Sequence, residues 1–215
     1  MSVASGSTET TCAQCGGVGW LIETGRRCDV CAATARALYV RDLIPVRYRH
    51  ASRATWRGAW PLSREADEWR ATAGSDPWCV VLIGPKGIGK THLATALFRS
   101  ILERDGESRA GFWIAAEEAA AQTKAEFGGE SVTSRKLFAP DLLLFDDPGS
   151  DRPTEYALEL SRSVIYRRHL HALPTIITAN ASTLSDFDQL DERIASRLHE
   201  GTLVFELDGD DRRLA

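Results

Sequence analysis

What is missing from these 215 residues narrows the field first. No apolar run approaches the roughly 20 residues that a bilayer span requires, and Met1 to Thr11 is polar, without the apolar core of a secretory signal. A cytoplasmic chain with no membrane partner is the expectation. Internal repeats are absent, which excludes solenoids and propellers. No long low-complexity tract occurs, and Ser5 to Thr11 is the one stretch expected to be disordered. Lysine is missing from the whole of 26–70. Ten arginines there meet Asp29, Asp42, Glu65, Asp67 and Glu68, for a local charge of about +5 in a chain whose net charge is -4. Such a segment suits nucleic acid or an acidic protein, and equally a solvated helix face. The 43% hydrophobic content is ordinary, and the length fits one well-buried core plus a small module.

What is present is dominated by Gly84-Pro85-Lys86-Gly87-Ile88-Gly89-Lys90-Thr91, which fits G-x-x-x-x-G-K-[ST] with a strand before it and a helix after. Trp78 to Ile83 is a bulky apolar run of the kind a parallel sheet buries on both faces. The glycines let the backbone turn its N–H groups inward as a nest for phosphates, at the positive end of a helix. Lys90 is expected to reach the β- and γ-phosphates of ATP, and Thr91 to give its hydroxyl to magnesium. Leu93, Ala96, Leu97, Ser100 and Ile101 make a helical stripe, with Gly106 placed to end it. A glycine-rich turn that only imitates the pattern would lack this flanking strand and helix.

Cys12-x-x-Cys15 and Cys28-x-x-Cys31 give two thiol pairs separated by twelve residues. Tetrahedral zinc takes four soft ligands, and each C-x-x-C turn presents two. Gly16, Gly17, Gly19 and Gly25 allow the tight turns that a segment with no apolar core of its own requires. Two disulfides are disfavoured in a cytoplasmic chain, and redox pairs sit at the helix start of a thioredoxin-like unit, so a zinc module is expected. Cys79, inside the apolar strand, reads as a small buried hydrophobe.

Ala32 to Val40 reads as a short helix broken at Pro45. Trp56, Trp60 and Trp69 follow, expected to pack this connector onto the main domain rather than to stack bases. Downstream, Gly111–Ile114 is a strand and Glu117–Phe127 a helix. Leu142 to Phe145 is an apolar strand ending in Asp146 and Asp147, the acids a P-loop site needs: Asp146 for magnesium, Asp147 as the base that polarises water. Thr154–His169 forms the next helix, and Pro174–Ala179 the next strand, ending in Asn180, which orients the water or contacts the γ-phosphate. Alternating strands and helices give an open parallel α/β sheet with the ligand at the carboxyl ends of its strands.

Together these elements resemble the AAA+ ATPases of the DnaC and DnaI helicase-loader group, whose relatives include the IstB transposition ATPases. The resemblance runs from about Ile44 onward and rests on Gly84–Thr91, Leu142–Gly149, Leu173–Asn180 and Glu192–Leu198. It implies that Asn180 is sensor 1 and that Arg197 is the arginine finger entering a neighbouring subunit's site. Only seventeen residues follow Leu198, so the helical lid of larger AAA+ proteins is expected to be reduced or absent. Arg212 or Arg213 is then left as the sensor 2 candidate. A zinc-binding N-terminus resembles some helicase loaders more than the IstB arrangement.

The expected layout is a zinc-binding module over 1–33, a helical linker over 34–75 and an AAA+ ATPase domain over 76–215. The resemblance implies a helicase loader that uses ATP, magnesium and zinc, oligomerises when ATP-bound, and engages a replicative DNA helicase and single-stranded DNA. Two alternatives stand beside it: an IstB-like helper that binds duplex DNA and a transposase, and a zinc adaptor that binds nucleotide without turnover. Intact Lys90, Thr91, Asp146 and Asp147 argue against the last. A small-molecule kinase would need an acceptor pocket and an arginine-rich lid where this chain has Asp-Asp, Asn and Ser-Arg-Leu.

Overall fold

The computed structural model describes residues 12–69, 76–104, 109–126, 132–148, 153–181 and 186–212. Ser5 to Thr11, Gly106, Phe127, Gly149 and Arg213 lie outside these residues. A small N-terminal hairpin of β1 (Trp20–Leu21) and β2 (Arg26–Arg27) precedes the five strands of the main sheet: β3 (Cys79–Ile83), β4 (Gly111–Ala115), β5 (Leu142–Asp146), β6 (Thr175–Ala179) and β7 (Thr202–Glu206). The spatial order is β4-β5-β6-β3-β7, and every neighbouring pair is parallel. All five residues of β3 and of β6 are buried. This is why both strands are near-continuous Val, Ile, Leu and Thr: a parallel strand covered on two faces has no polar side to show.

The alternation of a strand then sorts side chains between two layers. Val80, Leu82, Leu142, Leu144 and Ile176 pack on one face beneath α3 (Lys90–Arg104). Val81, Ile83, Ile177 and Ala179 pack on the other with Ile194, Ala195 and Leu198 of α7 (Asp186–Leu198) and Ile165 of α6 (Glu155–Leu170). The α3 stripe is wider than its sequence pattern, because Ala94, Thr95 and Phe98 are also buried, whereas Ser100 is exposed and does not belong to it.

Helix α1 (Asp29–Leu43) starts at Cys28 and stops at Ile44, ahead of Pro45, so the expected 32–40 segment is longer at both ends. Val40, Ile44, Leu62, Ala66 and Trp69 join the same core cluster as α3, with Trp56 and Trp60 packed against it. Helices α4 (Ala116–Ala125) and α5 (Val132–Phe138) cover the β4–β5 side. Neither α5, β7 nor the β1 (Trp20–Leu21) and β2 (Arg26–Arg27) hairpin was expected from sequence. Thr154 caps α6 by accepting from the Ala157 N–H at 3.1 Å.

One buried cation ties the amino-terminal ends of β5 and β6 together. The fully buried Arg168 donates to Thr175 Oγ1 and to the carbonyls of Leu137, Pro140 and Pro174 at 2.8–3.2 Å. Burial brings its guanidinium down to about 10, which leaves it charged at neutral pH. Truncation strands four acceptors at once, so Arg168→Ala is expected to destabilise the fold by about 3–5 kcal/mol. Calorimetry should show this as a fall in Tm; a Tm within two degrees of the parent's would mean these bonds hold nothing together.

Candidate functional site: a phosphate cradle walled by the connector

The strand order places the site. β3 leaves the sheet between β6 and β7, and the chain after β6 must cross β3 to form β7, so a crevice opens at the carboxyl ends of these strands. Ile83 is level with Ala179, and Asp146 with Thr178. Gly84, Asn180 and Asp147 therefore follow their strands into one neighbourhood.

The cradle needs its glycines for two separate reasons. Gly84, Gly87 and Gly89 have φ of 148°, 84° and 100°, where a Cβ strains the backbone. A Cβ on Gly84 would also run into the Leu207 carbonyl, and one on Gly87 into the Asp211 carboxylate. Between them, Pro85 and Lys86 are exposed, whereas Ile88 is buried and roots the loop in the core.

Lys90 is buried, and its ammonium donates to Gly84 O (2.9 Å), Pro85 O (2.8 Å) and Asn180 Oδ1 (2.8 Å). Three donors thus meet three acceptors, which offsets burial of the charge. Asn180 passes the link on, donating from Nδ2 to Asp147 Oδ2 at 2.8 Å. Asp147 sits in the left-handed region, φ 53°, with its N–H bonded to Thr178 O and Oγ1. Asp146 Oδ1 accepts from Thr91 Oγ1 (2.9 Å) and Thr178 Oγ1 (2.6 Å). Burial pushes the Asp146 carboxyl up, against the Thr178 and Thr91 hydrogen bonds and the Lys90 charge. A hydroxyl and a carboxylate side by side form an oxygen donor set of the sort hard divalent cations take.

These groups line a cavity of about 730 Å³. Its other wall is built by residues the sequence reading did not assign to the site: Arg47, Tyr48, His50, Trp56, Arg57 and His92. The connector's positive charge is therefore put partly to a use not foreseen. Arg47 and Arg57 face the cavity, while Arg36 is buried, donating to the Leu102 and Arg109 carbonyls at 2.8 Å. Trp56 packs at the edge of Gly89, 3.0 Å from where a Cβ would stand, and carries the Arg212 guanidinium 4.0 Å over its ring. Arg212 also donates from Nη1 to Arg57 O (2.6 Å) and from its N–H to Gly87 O (3.1 Å). Desolvation lowers the His92 imidazole, which lies 3.2 Å from Thr55 Oγ1. The signal for this wall was the clustering of Trp and Arg ahead of β3, legible as packing but not as a site.

Arg197 is elsewhere. It lines a separate cleft of about 220 Å³ between α6 and α7, with Tyr166 and Arg193.

At the N-terminus the four sulfurs of Cys12, Cys15, Cys28 and Cys31 lie within 4.8 Å of one another, with Cys12–Cys28 at 3.8 Å and Cys15–Cys31 at 3.4 Å. Zinc–sulfur bonds of about 2.3 Å in a tetrahedron set sulfurs about 3.8 Å apart, so the four thiols fit that geometry and none forms a disulfide. Crowding splits the protons. The Cys15 thiol is raised by burial, but hydrogen bonds from Cys31 and the Gly19 N–H outweigh this and bring it to about 6. Cys31 is pushed up to about 12, first by Cys15 beside it.

Sheet order, cradle and strand-end acids define a P-loop nucleotide-binding protein of the AAA+ type. Residues 75–214 match the IstB-like ATP binding protein family, well over half of the chain, and the chain belongs to that family. It is 28% identical over 142 residues to the ATP-binding protein of insertion sequence IS5376 from Geobacillus stearothermophilus, covering 63% of this chain and 55% of that protein. It is 27% identical over 126 residues to YqaM of Bacillus subtilis, covering 56% and 39%. The chain thus spans about half the length or less of these relatives. Among solved structures, the DnaC helicase loader superposes with a TM-score of 0.63 at 21% identity, over 76% of this chain and 100% of that one. DnaI gives 0.60 at 18%, over 81% and 99%. At such identities the likeness is one of fold. Among the described residues, no helix is long and apolar enough to cross a membrane.

Proposed function

We propose that this protein hydrolyses ATP and uses it as a switch in loading a replicative DNA helicase onto single-stranded DNA. The observation that carries the ATPase reading is the continuous chain Lys90–Asn180–Asp147 beside the Thr91–Asp146–Thr178 cluster. A nucleotide-only adaptor would have no use for it. Lys90, preorganised by two loop carbonyls, exchanges them for the β- and γ-phosphates. Asn180 senses that exchange, because it holds both Lys90 and Asp147. Asp147 is then aimed to take a proton from the attacking water. Magnesium, held by Thr91 and Asp146, would neutralise phosphate charge during transfer. Zinc held by the four cysteines would fold the N-terminal module, and the loader-like arrangement of such a module ahead of an AAA+ fold favours the helicase partner. We assign 1–33 to that module, 34–75 to the linker and the remainder to the ATPase.

The IS5376 relative favours a second reading, a transposition helper that binds duplex DNA and a transposase. Pull-downs with the replicative helicase, and ATP turnover with single-stranded against duplex DNA, separate the two. Helicase capture with single-strand stimulation supports the loader; duplex stimulation without capture supports the helper.

Arg197 lies in the α6/α7 cleft and not in its own chain's nucleotide cavity, which fits a guanidinium that acts on ATP in an adjoining subunit. Arg197→Ala and Asp147→Asn proteins are each expected to be nearly inactive, and a mixture to recover turnover at interfaces pairing an intact Asp147 with an intact Arg197. Mixtures that co-assemble but stay inactive would remove the trans role and turn attention to Arg193.

A further inference from the structure

The α6/α7 cleft holds Arg197 from two directions. Its Nη1 donates to the Arg193 carbonyl one turn earlier at 2.6 Å, and its Cζ lies 4.7 Å from the centroid of the Tyr166 ring. These holds come from different helices, since Arg193 is on α7 and Tyr166 on α6. Tyr166 is 49% exposed, an unusual place for a large ring with no core to fill. Arg162, paired with Glu159 at 3.1 Å, and Arg193 line the same cleft, as does Glu159 itself.

An arginine that meets a phosphoryl group only during the reaction gains most when its orientation is set beforehand, because its side chain is rich in rotamers. A ring held against the guanidinium does that. It attracts the cation and narrows the space its head group samples. We propose that Tyr166 is a positioning residue for Arg197, holding the guanidinium ready to meet the γ-phosphate of an adjoining subunit. The proposal rests on the reading of Arg197 as a trans-acting residue.

Tyr166→Leu keeps apolar bulk and loses the π face, and Tyr166→Phe keeps the face and loses the hydroxyl. Tyr166→Leu should lower kcat about 5-fold, the scale of an exposed cation–π contact, with KM for ATP unchanged, and Tyr166→Phe should restore it. Assembly trapped with MgADP and aluminium fluoride, a mimic of the transferring phosphoryl group, should need about 5-fold more Tyr166→Leu protein, an effect read by sedimentation without turnover. In mixtures, Tyr166→Leu should be rescued by Asp147→Asn subunits and not by Arg197→Ala subunits, because it weakens the same side of the interface as Arg197. Parental turnover in Tyr166→Leu, with Arg197→Ala inactive, would overturn the role of Tyr166 and leave the trans arginine standing. Parental turnover in Arg197→Ala would overturn both. Failure of Tyr166→Leu to assemble with ATP would make the ring a subunit contact instead and would also overturn the proposal.

Discussion

Lys90→Ala is expected to weaken ATP binding by 30-fold or more, because truncating one partner of a buried, hydrogen-bonded charge pair costs about 2–5 kcal/mol. Asp147→Asn should leave affinity near the parent's and lower turnover by about 10²–10⁴, the usual contribution of a general base. The contrast follows from the hydrogen-bond chain. Lys90 loses its charge and its grip on Asn180 together, whereas the asparagine amide at 147 matches the carboxylate in shape and keeps an oxygen for the Asn180 Nδ2. Asparagine also tolerates the left-handed backbone found at Asp147, so no strain is added. Nucleotide titration followed by single-turnover hydrolysis separates the two effects. Equal losses of affinity in both variants would remove Asp147 from the role of base.

One zinc per chain is expected in protein prepared under reducing conditions, and its removal should unfold the N-terminal module while leaving ATP binding intact. The binding free energy of a structural zinc is about 10–16 kcal/mol and doubles as folding energy where little else is buried. Here little else is: Val18, Trp20 and Ile22 are 64%, 55% and 88% exposed, and among the module's described residues Cys28, at the start of α1, is the fully buried one. Unfolding should halt near Arg36, whose two carbonyl bonds, with Val40 in the core, hold α1 to the ATPase. Hydrogen exchange on Cys28→Ser protein should therefore rise across 12–31 and stay low over 36–43. Metal analysis that finds no zinc, or exchange unchanged by the mutation, would show that the thiols stand together for another reason.

Much of the nucleotide cradle could be read from sequence because its physics is local. Gly84, Gly87 and Gly89 answer to backbone angles, Lys90 and Thr91 follow within two residues, and apolar β3 and β5 deliver their carboxyl-end residues by alternation and length. The four cysteines are legible for the same reason, two short turns each carrying its own spacing. Contacts made at long separation were not legible. Trp56 reaches Gly89 and Arg212 only after the connector folds back over the sheet, and an arginine-rich stretch looks the same in sequence whether it faces solvent or a cavity. Arg168 resembles any arginine near a helix end, and its four acceptors come from two separate stretches, 137–140 and 174–175. β7 is hidden in the sequence because the residues beyond Leu198 stand where a lid is expected, although Thr202–Glu206 has the composition of an edge strand.

That edge strand has a consequence for the timing of synthesis. The central β3 is flanked by β6 and by β7, the Leu207 N–H closes onto Ile83 O at 2.8 Å, and the Arg212 N–H closes onto Gly87 O. Part of the scaffold around the phosphate loop thus comes from residues more than a hundred positions later. A nascent chain that has released its glycine loop from the ribosome still lacks the strand and strap that hold the loop in shape. ATP binding is therefore expected only once those residues have emerged.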